Sequence, residues 1–337
     1  MTDPRNVVET TLVPHVAFQK ANQRMEQCFQ YAKGASEPIC FALVGESRTG
    51  KSRALEECCI RHPTVRNSDG LHIPILKVKT PSQPTVIGLA ELMLHALNDP
   101  LFNKGTKNVK TIRLRHLLQE CRTTMVMIDE FQHFYDKGSH KVMHHVADWL
   151  KVLVDDAKVA LVVAGLPTCQ AVLEQNEQLS GRFLTPVFMP RFNWGNEKER
   201  EEFIDILGAF SESMGQHFDL PELDTPEMAF RMYCATGGLM GYLTKLLRQL
   251  VWDVLDAERT TIELSDIMKA HDEAVWAKEG LLGIPSPFTR EFPTQPTDDL
   301  IARVQKLGMR VEPPPPPRIV RPRSKAALSV SSVLSAS

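Results

Sequence analysis

An uncharged apolar run, Ile39 to Val44, passes without a break into Gly45-Glu46-Ser47-Arg48-Thr49-Gly50-Lys51-Ser52 and then into helix-forming residues as far as Arg61. No other stretch constrains the fold as tightly. The octet matches G-x-x-x-x-G-K-[ST] in full. Gly45 and Gly50 let the main chain wrap closely around phosphate groups, so that successive N–H groups, those of Glu46, Ser47, Arg48 and Thr49 among them, form an anion cradle. Lys51 can then reach the β and γ phosphates of ATP, and the Ser52 hydroxyl can ligate Mg²⁺. A strand before the loop and a helix after it supply the context this chemistry requires.

Further apolar runs follow at Ile73 to Val78, Met125 to Ile128 and Val159 to Ala164, with a short one at Pro186 to Met189. Helical periodicities alternate with them, over Val86 to Leu97, Thr111 to about Glu120, and Lys141 to Val154. Such alternation predicts right-handed crossovers and an α/β fold: a five-stranded parallel sheet covered by helices on both faces. Upstream, Phe18, Ala21, Met25, Cys28, Phe29 and Ala32 recur at helical spacing and predict an amphipathic helix. From Glu197 onward only helices are expected, over Glu197 to Met214, Pro226 to Ala235, Met240 to Glu258 and Ser265 to Lys278, the last capped by Ser265. The expected organisation is an N-terminal arm (1–15), an α/β nucleotide-binding domain (16–195), a small all-helical lid (196–279) and a Pro-rich flexible tail (280–337).

Seven scattered cysteines, odd in number and without a Cys-x-x-Cys pair, argue for reduced thiols rather than disulfides or a zinc site. No segment approaches the roughly 18 uninterrupted apolar residues of a spanning helix, so no membrane partner and a cytoplasmic location are expected. His133, His144 and His145 lack a converging third ligand.

A phosphate loop alone does not name a reaction; its acidic partner narrows the choice. Asp129-Glu130 closes the apolar run Met125 to Ile128, which puts Asp129 at the carboxyl edge of the sheet, where it can share Mg²⁺ with Ser52. Glu130 is placed to polarise an attacking water. Hydrolysis also needs positive charge on the γ phosphate, and Arg182, between the fourth and fifth strands, is the candidate arginine finger toward a neighbouring subunit. An ordinary surface arginine is the alternative.

Net charge is −2, so a nucleic-acid contact would need a local patch. Lys104, Lys107, Lys110, Arg113 and Arg115 fall in twelve residues with no acid before Glu120. They form either a footprint for the backbone of double-stranded DNA or a solvated helix face. No aromatic residue interleaves them, which disfavours base stacking on single strands.

Taken together, Gly45 to Ser52, the phrase Val126-Met127-Ile128-Asp129-Glu130-Phe131-Gln132-His133, Arg182 and Thr236-Gly237-Gly238-Leu239-Met240-Gly241 resemble an AAA+ ATPase of the initiator-like branch. Within it, the stretch from about Val16 to Trp276 is most similar to the TniB/TnsC family of transposon target-selection regulators, which includes members coupled to CRISPR effectors. That resemblance implies self-association into an ATP-dependent ring or filament on double-stranded DNA, and a bridge between a target-recognition protein and the transposase subunits. Two departures stand out. The slot for a sensor arginine holds Met240 and Gly241, with Lys245 as the nearest substitute, and the fourth strand ends in Ala164-Gly165-Leu166, leaving Thr168 as the substitute for a polar sensor. Both imply slow hydrolysis, suited to a switch. A clamp-loader or helicase-loader ATPase and a nucleotide-dependent scaffold that does not hydrolyse ATP share the same residues; a small-molecule kinase would need an arginine-bearing lid that the sequence does not display.

Overall fold

The computed structural model describes residues 3–32, 34–276, 283–293 and 295–309. Seven strands are found there: β1 (Cys40–Val44), β2 (Val65–Asn67), β3 (Gly70–His72), β4 (Ile75–Lys79), β5 (Met125–Asp129), β6 (Ala160–Gly165) and β7 (Val187–Phe188). Five of them make a parallel sheet in the order β4-β5-β6-β1-β7, while β2 and β3 form a separate antiparallel hairpin that the apolar pattern does not announce. Every residue of β1, β5 and β6 is buried, which is why these strands read as unbroken apolar runs rather than as alternations.

The two faces of β1 belong to different cores. Phe41 and Leu43 pack with Phe18, Met25 and Leu55 from helices Val16–Tyr31 and Lys51–Arg61. Ala42 and Val44 pack with Leu89, Leu118 and Leu150 from helices Val86–Ala96, Lys107–Glu120 and His140–Ala157. The period of two along a strand distributes the side chains in this way.

A third core holds the helical region, with helices Glu197–Gly215, Pro226–Thr236, Met240–Asp256 and Leu264–Ala274. It reaches further along the chain than the sequence suggests, and the residues up to Leu307 form one compact unit. Val7 and Val8 are buried in it, Thr11 Oγ1 lies 2.6 Å from Ser213 Oγ, and Arg248 pairs with Glu9. The N-terminal stretch is therefore a docked element, not an arm: two adjacent valines are enough to seat it on the helices. The Pro-rich tail also needs correction over 283–307. Ile284, Phe288, Phe292, Leu300, Val304 and Leu307 are buried in the same core, and a helix, Asp298–Val304, is capped by Thr297. The prolines punctuate this segment without preventing apolar burial. Residues 310–337 lie outside the described residues.

Two further expectations shift. Helix Leu264–Ala274 is capped at Glu263 in a capping box with Asp266, so Ser265 lies within its first turn. The basic run is not a loop followed by a helix at Thr111, because the helix already starts at Lys107, with Thr106 as its cap.

Candidate active site

The loop leaving β1 is shaped by close approaches. A Cβ at Gly45 would stand 2.2 Å from the Met189 carbonyl oxygen, so no larger residue fits there. Gly50 adopts φ 97°, and Arg48 also lies in the left-handed region at φ 66°. Gly50 caps helix Lys51–Arg61 without a side-chain bond, so the helix start presents main-chain N–H groups to an anion. Thr49 Oγ1 donates to the Glu46 carbonyl at 3.0 Å and stiffens the turn. The Lys51 ammonium donates to the carbonyls of Gly45, at 2.8 Å, and Glu46. Burial lowers its pKa, while the nearby carboxylates of Asp129 and Glu130 oppose that shift.

At the end of β5, Ser52 Oγ donates to Asp129 Oδ2 at 2.6 Å, and the Glu130 amide donates to Asp129 Oδ1 at 2.8 Å. A hydroxyl beside a single carboxylate is the donor set of a Mg²⁺ ion that completes its shell with water and phosphate oxygens. Among the described residues there is no group of three or more His, Cys, Asp or Glu that could hold a metal ion. Glu130 is held at φ 56°, a strained conformation for a non-glycine residue that costs about 1–3 kcal/mol.

A cavity of about 460 Å³ opens over this loop, lined by Ser47, Arg48, Gly50, Lys51, Ser52, Arg53, Glu130, Gln132, Leu166, Gly241, Thr244 and Arg248. Four cations face one carboxylate there, the balance a polyphosphate needs. A second, mostly apolar cavity of about 330 Å³ shares Gly50, Arg53, Gly241, Thr244 and Arg248 and is completed by Val8, Glu9, Thr11, Leu12, Val13, His15, Phe18, Glu56, Phe210 and Met240.

Several of these residues escape a reading by motif. Gln132 is buried; its amide donates to Glu130 Oε2 and its carbonyl oxygen accepts from the Leu166 amide at 3.2 Å. Gly241, Thr244 and Arg248 recur at helical spacing on helix Met240–Asp256, and that periodicity, read toward the loop, was the available signal. The apolar cavity depends on the N-terminal stretch, for which the sequence gives no sign.

Not every expected site residue is brought here. Of the two residues in the sensor slot, Gly241 leaves no room for an arginine, since it donates to the Arg48 carbonyl at 2.7 Å and a Cβ there would meet Arg48 Cβ at 2.8 Å. Lys245 lines neither cavity, whereas Thr244 and Arg248 line both. Thr168 does not line them either; its hydroxyl is buried without a partner, and Gln132 and Leu166 occupy the end of β6 instead. Arg182 is no free finger. Phe183, the next residue, bridges to Cys40 at the start of β1, which puts Arg182 at the sheet edge opposite its own loop. Its guanidinium lies 2.8 Å from Asp155 and donates to the Gln178 carbonyl at 2.9 Å.

The basic run divides. Lys110 is 4% exposed and paired with Glu91, and Arg113 binds Asp99 at 2.5 Å and the Leu101 and Lys104 carbonyls. Both belong to the packing of the helix, not to a DNA-facing surface. Lys104 and Lys107 remain exposed.

The parallel sheet, the phosphate loop and the acidic pair define a P-loop domain with the AAA+ fold. The model of the bacterial TniB protein family matches residues 5–194, and the chain belongs to that family. The fold is similar to Cdc6p from Pyrobaculum aerophilum, with a TM-score of 0.59 and 15% identity over 83% of this chain and 74% of that one. It is similar also to the ORC2 protein of Aeropyrum pernix, with a TM-score of 0.60 and 12% identity over 83% and 75%, and to that organism's ORC1 protein, solved in complex with DNA, with a TM-score of 0.57 and 16% identity over 81% and 71%. Comparison with curated protein sequences finds no match.

Proposed function

We propose that this TniB-family protein is a slow ATPase that assembles on double-stranded DNA and, in its ATP form, connects a target-recognition protein to transposase subunits. The observation that carries the ATPase reading is the Ser52, Asp129 and Glu130 constellation beside the cradle. Ser52 and Asp129 would hold Mg²⁺, which screens phosphate charge when bound. Glu130 then takes a proton from the attacking water, once its carboxylate is released from the Gln132 amide. Slow turnover follows from the crowded Gly241 position, which leaves Arg48, Arg53 and the Glu9-paired Arg248 as the cations that line the cavity beside Lys51.

The DNA reading draws on family membership and on the fold shared with the DNA-bound ORC1 protein. Lys104 and Lys107 supply weak contacts that count only when repeated along a ring or filament. Arg182 serves a neighbouring subunit only by exchanging Asp155 for that subunit's phosphate. The target-recognition partner is a CRISPR effector in some transposons of the resembled family.

Glu130→Gln tests the reading directly. The variant should bind ATP, lose turnover by about a hundredfold or more, and hold long-lived assemblies on duplex DNA visible by negative-stain microscopy. Wild-type protein that binds ATP without turnover, together with a variant that assembles no better, would leave a scaffold in its place.

A further inference from the structure

A carboxylate immediately after Gly45 is an odd residue for a loop that cradles phosphate: left free, it would repel the anion the loop is built to hold. Glu46 is not free. Arg191, which follows β7, donates from Nε to both Glu46 carboxylate oxygens at 3.1 Å and from Nη2 to Oε2. The remaining nitrogen, Nη1, turns the other way and donates to the Gly237 carbonyl at 3.3 Å and the Leu307 carbonyl at 3.0 Å. One buried guanidinium therefore joins three places that are far apart in sequence: the phosphate loop, the turn that opens helix Met240–Asp256, and the end of the C-terminal segment.

The turn is built to receive it. Gly237 and Gly238 both adopt positive φ, at 65° and 69°. A Cβ on Gly238 would meet the Phe192 carbonyl oxygen at 2.4 Å, and the Phe192 amide donates to the Gly238 carbonyl at 2.9 Å. Past it, Gly241 reaches the Arg48 carbonyl, so the lid grips the phosphate loop at two points, Arg48 and, through Arg191, Glu46. The C-terminal segment holds the outer side. Gln305 donates to Asn193 Oδ1 at 2.6 Å, and Arg231 donates to the Pro287 carbonyl at 2.5 Å and the Thr289 carbonyl at 2.9 Å. Arg191 binds Leu307 by its carbonyl, so seating of the segment, not the identity of that side chain, is what the guanidinium senses.

We propose that Arg191 is a positioning residue that neutralises Glu46 and couples nucleotide binding in the phosphate loop to the seating of residues 283–307 on the lid. The proposal rests on the ATP reading of the site. Nucleotide in the loop fixes Glu46, Glu46 fixes Arg191, and Arg191 fixes the Leu307 carbonyl. By reciprocity, a partner that lifts the segment loosens the loop's hold on nucleotide. The segment would thus let a protein partner set the lifetime of the ATP state without touching the nucleotide.

The test combines hydrogen exchange with calorimetric titration of Mg-ATP on the full chain. In wild-type protein, Mg-ATP should slow exchange across residues 300–307 by about fivefold or more, the usual scale of coupling between sites. Arg191→Gln should weaken ATP binding by roughly tenfold and abolish that nucleotide-dependent protection. Adding Glu46→Gln to Arg191→Gln should recover most of the affinity by removing the unneutralised carboxylate, but not the protection. Arg191→Lys, which keeps the charge without the fork, should fall between the wild type and Arg191→Gln. Wild-type protein that binds ATP with no change in exchange at 300–307 overturns the proposal, as does a folded Arg191→Gln variant with wild-type affinity. A wild-type chain that binds no ATP removes the reading of the site itself, a result distinguishable from both.

Discussion

Two stretches of this chain look made for anions, Gly45 to Ser52 and Lys104 to Arg115, and the fold treats them in opposite ways. The first binds through its main chain: glycines, a helix start and close packing against Met189 fix where the N–H groups point. The second binds through side chains, and most of those are already taken. Lys110 is held by Glu91, Arg113 by Asp99 and two carbonyls, and Arg115 by Asp156 at 2.8 Å. A motif of fixed spacing carries its own geometry, whereas a run of charge acquires a role only when the fold decides which acids lie opposite it. The same lesson applies to Arg182, whose partner Asp155 comes from a neighbouring helix.

The contrast is sharpest in alanine substitutions. Lys51→Ala should cost ATP affinity about a hundredfold or more, near 2.7 kcal/mol, a larger effect than the stability lost by freeing the Gly45 and Glu46 carbonyls, as calorimetric titration and melting would report. Lys110→Ala and Arg113→Ala should do the reverse. Arg113→Ala strips the buried Asp99 and two carbonyls of their partner, for a loss of about 2–3 kcal/mol in denaturant unfolding, and Lys110→Ala, whose partner Glu91 is 32% exposed, loses less, while ATP binding stays intact in both; a stable Lys110→Ala variant with weakened DNA binding would return that residue to the interface.

Acidification should weaken the nucleotide side before the basic run. His15 lines the apolar cavity, accepts from the Phe18 amide at 3.4 Å, and has its pKa pushed by burial down to about 4. Its folded pKa lies below the unfolded value, so its contribution is complete above about pH 6.5 and is lost as pH falls from there toward 4. Between pH 7 and 5 the loss should be about 2 kcal/mol at most, absent from His15→Gln and measured by urea unfolding at the two pH values. The smallest effect expected is that of Lys104→Ala with Lys107→Ala. The pair should leave nucleotide binding and stability alone and lower the salt slope of DNA binding by about two per subunit. An unchanged slope would take the whole stretch out of the DNA-facing surface.

Burial explains the cysteines as well. None is bridged, six are buried, and the Cys40, Cys58 and Cys169 thiols are pushed up to about 12, so they behave as core residues. Among the described residues no helix is long and apolar enough to cross a membrane.

By itself the sequence determined the parts whose information is local. Unbroken apolar runs mark strands buried on both faces, helical periodicities mark the layers over them, and the spacing from Gly45 to Ser52 with Asp129-Glu130 marks the phosphate and metal end of the site. The family resemblance rests on those same residues, and the family match bears it out. Only the tertiary structure decided which charges are spent internally, that Val7 and Val8 dock on the helices with Val8 lining the apolar cavity, and that residues 283–307 pack onto the lid. It alone also brought Arg191 between Glu46, Gly237 and Leu307. The physical reason is one of range. Backbone geometry and hydrophobic period are written in neighbouring residues, while pairing of charges and burial of short apolar segments depend on chain partners that folding alone brings together.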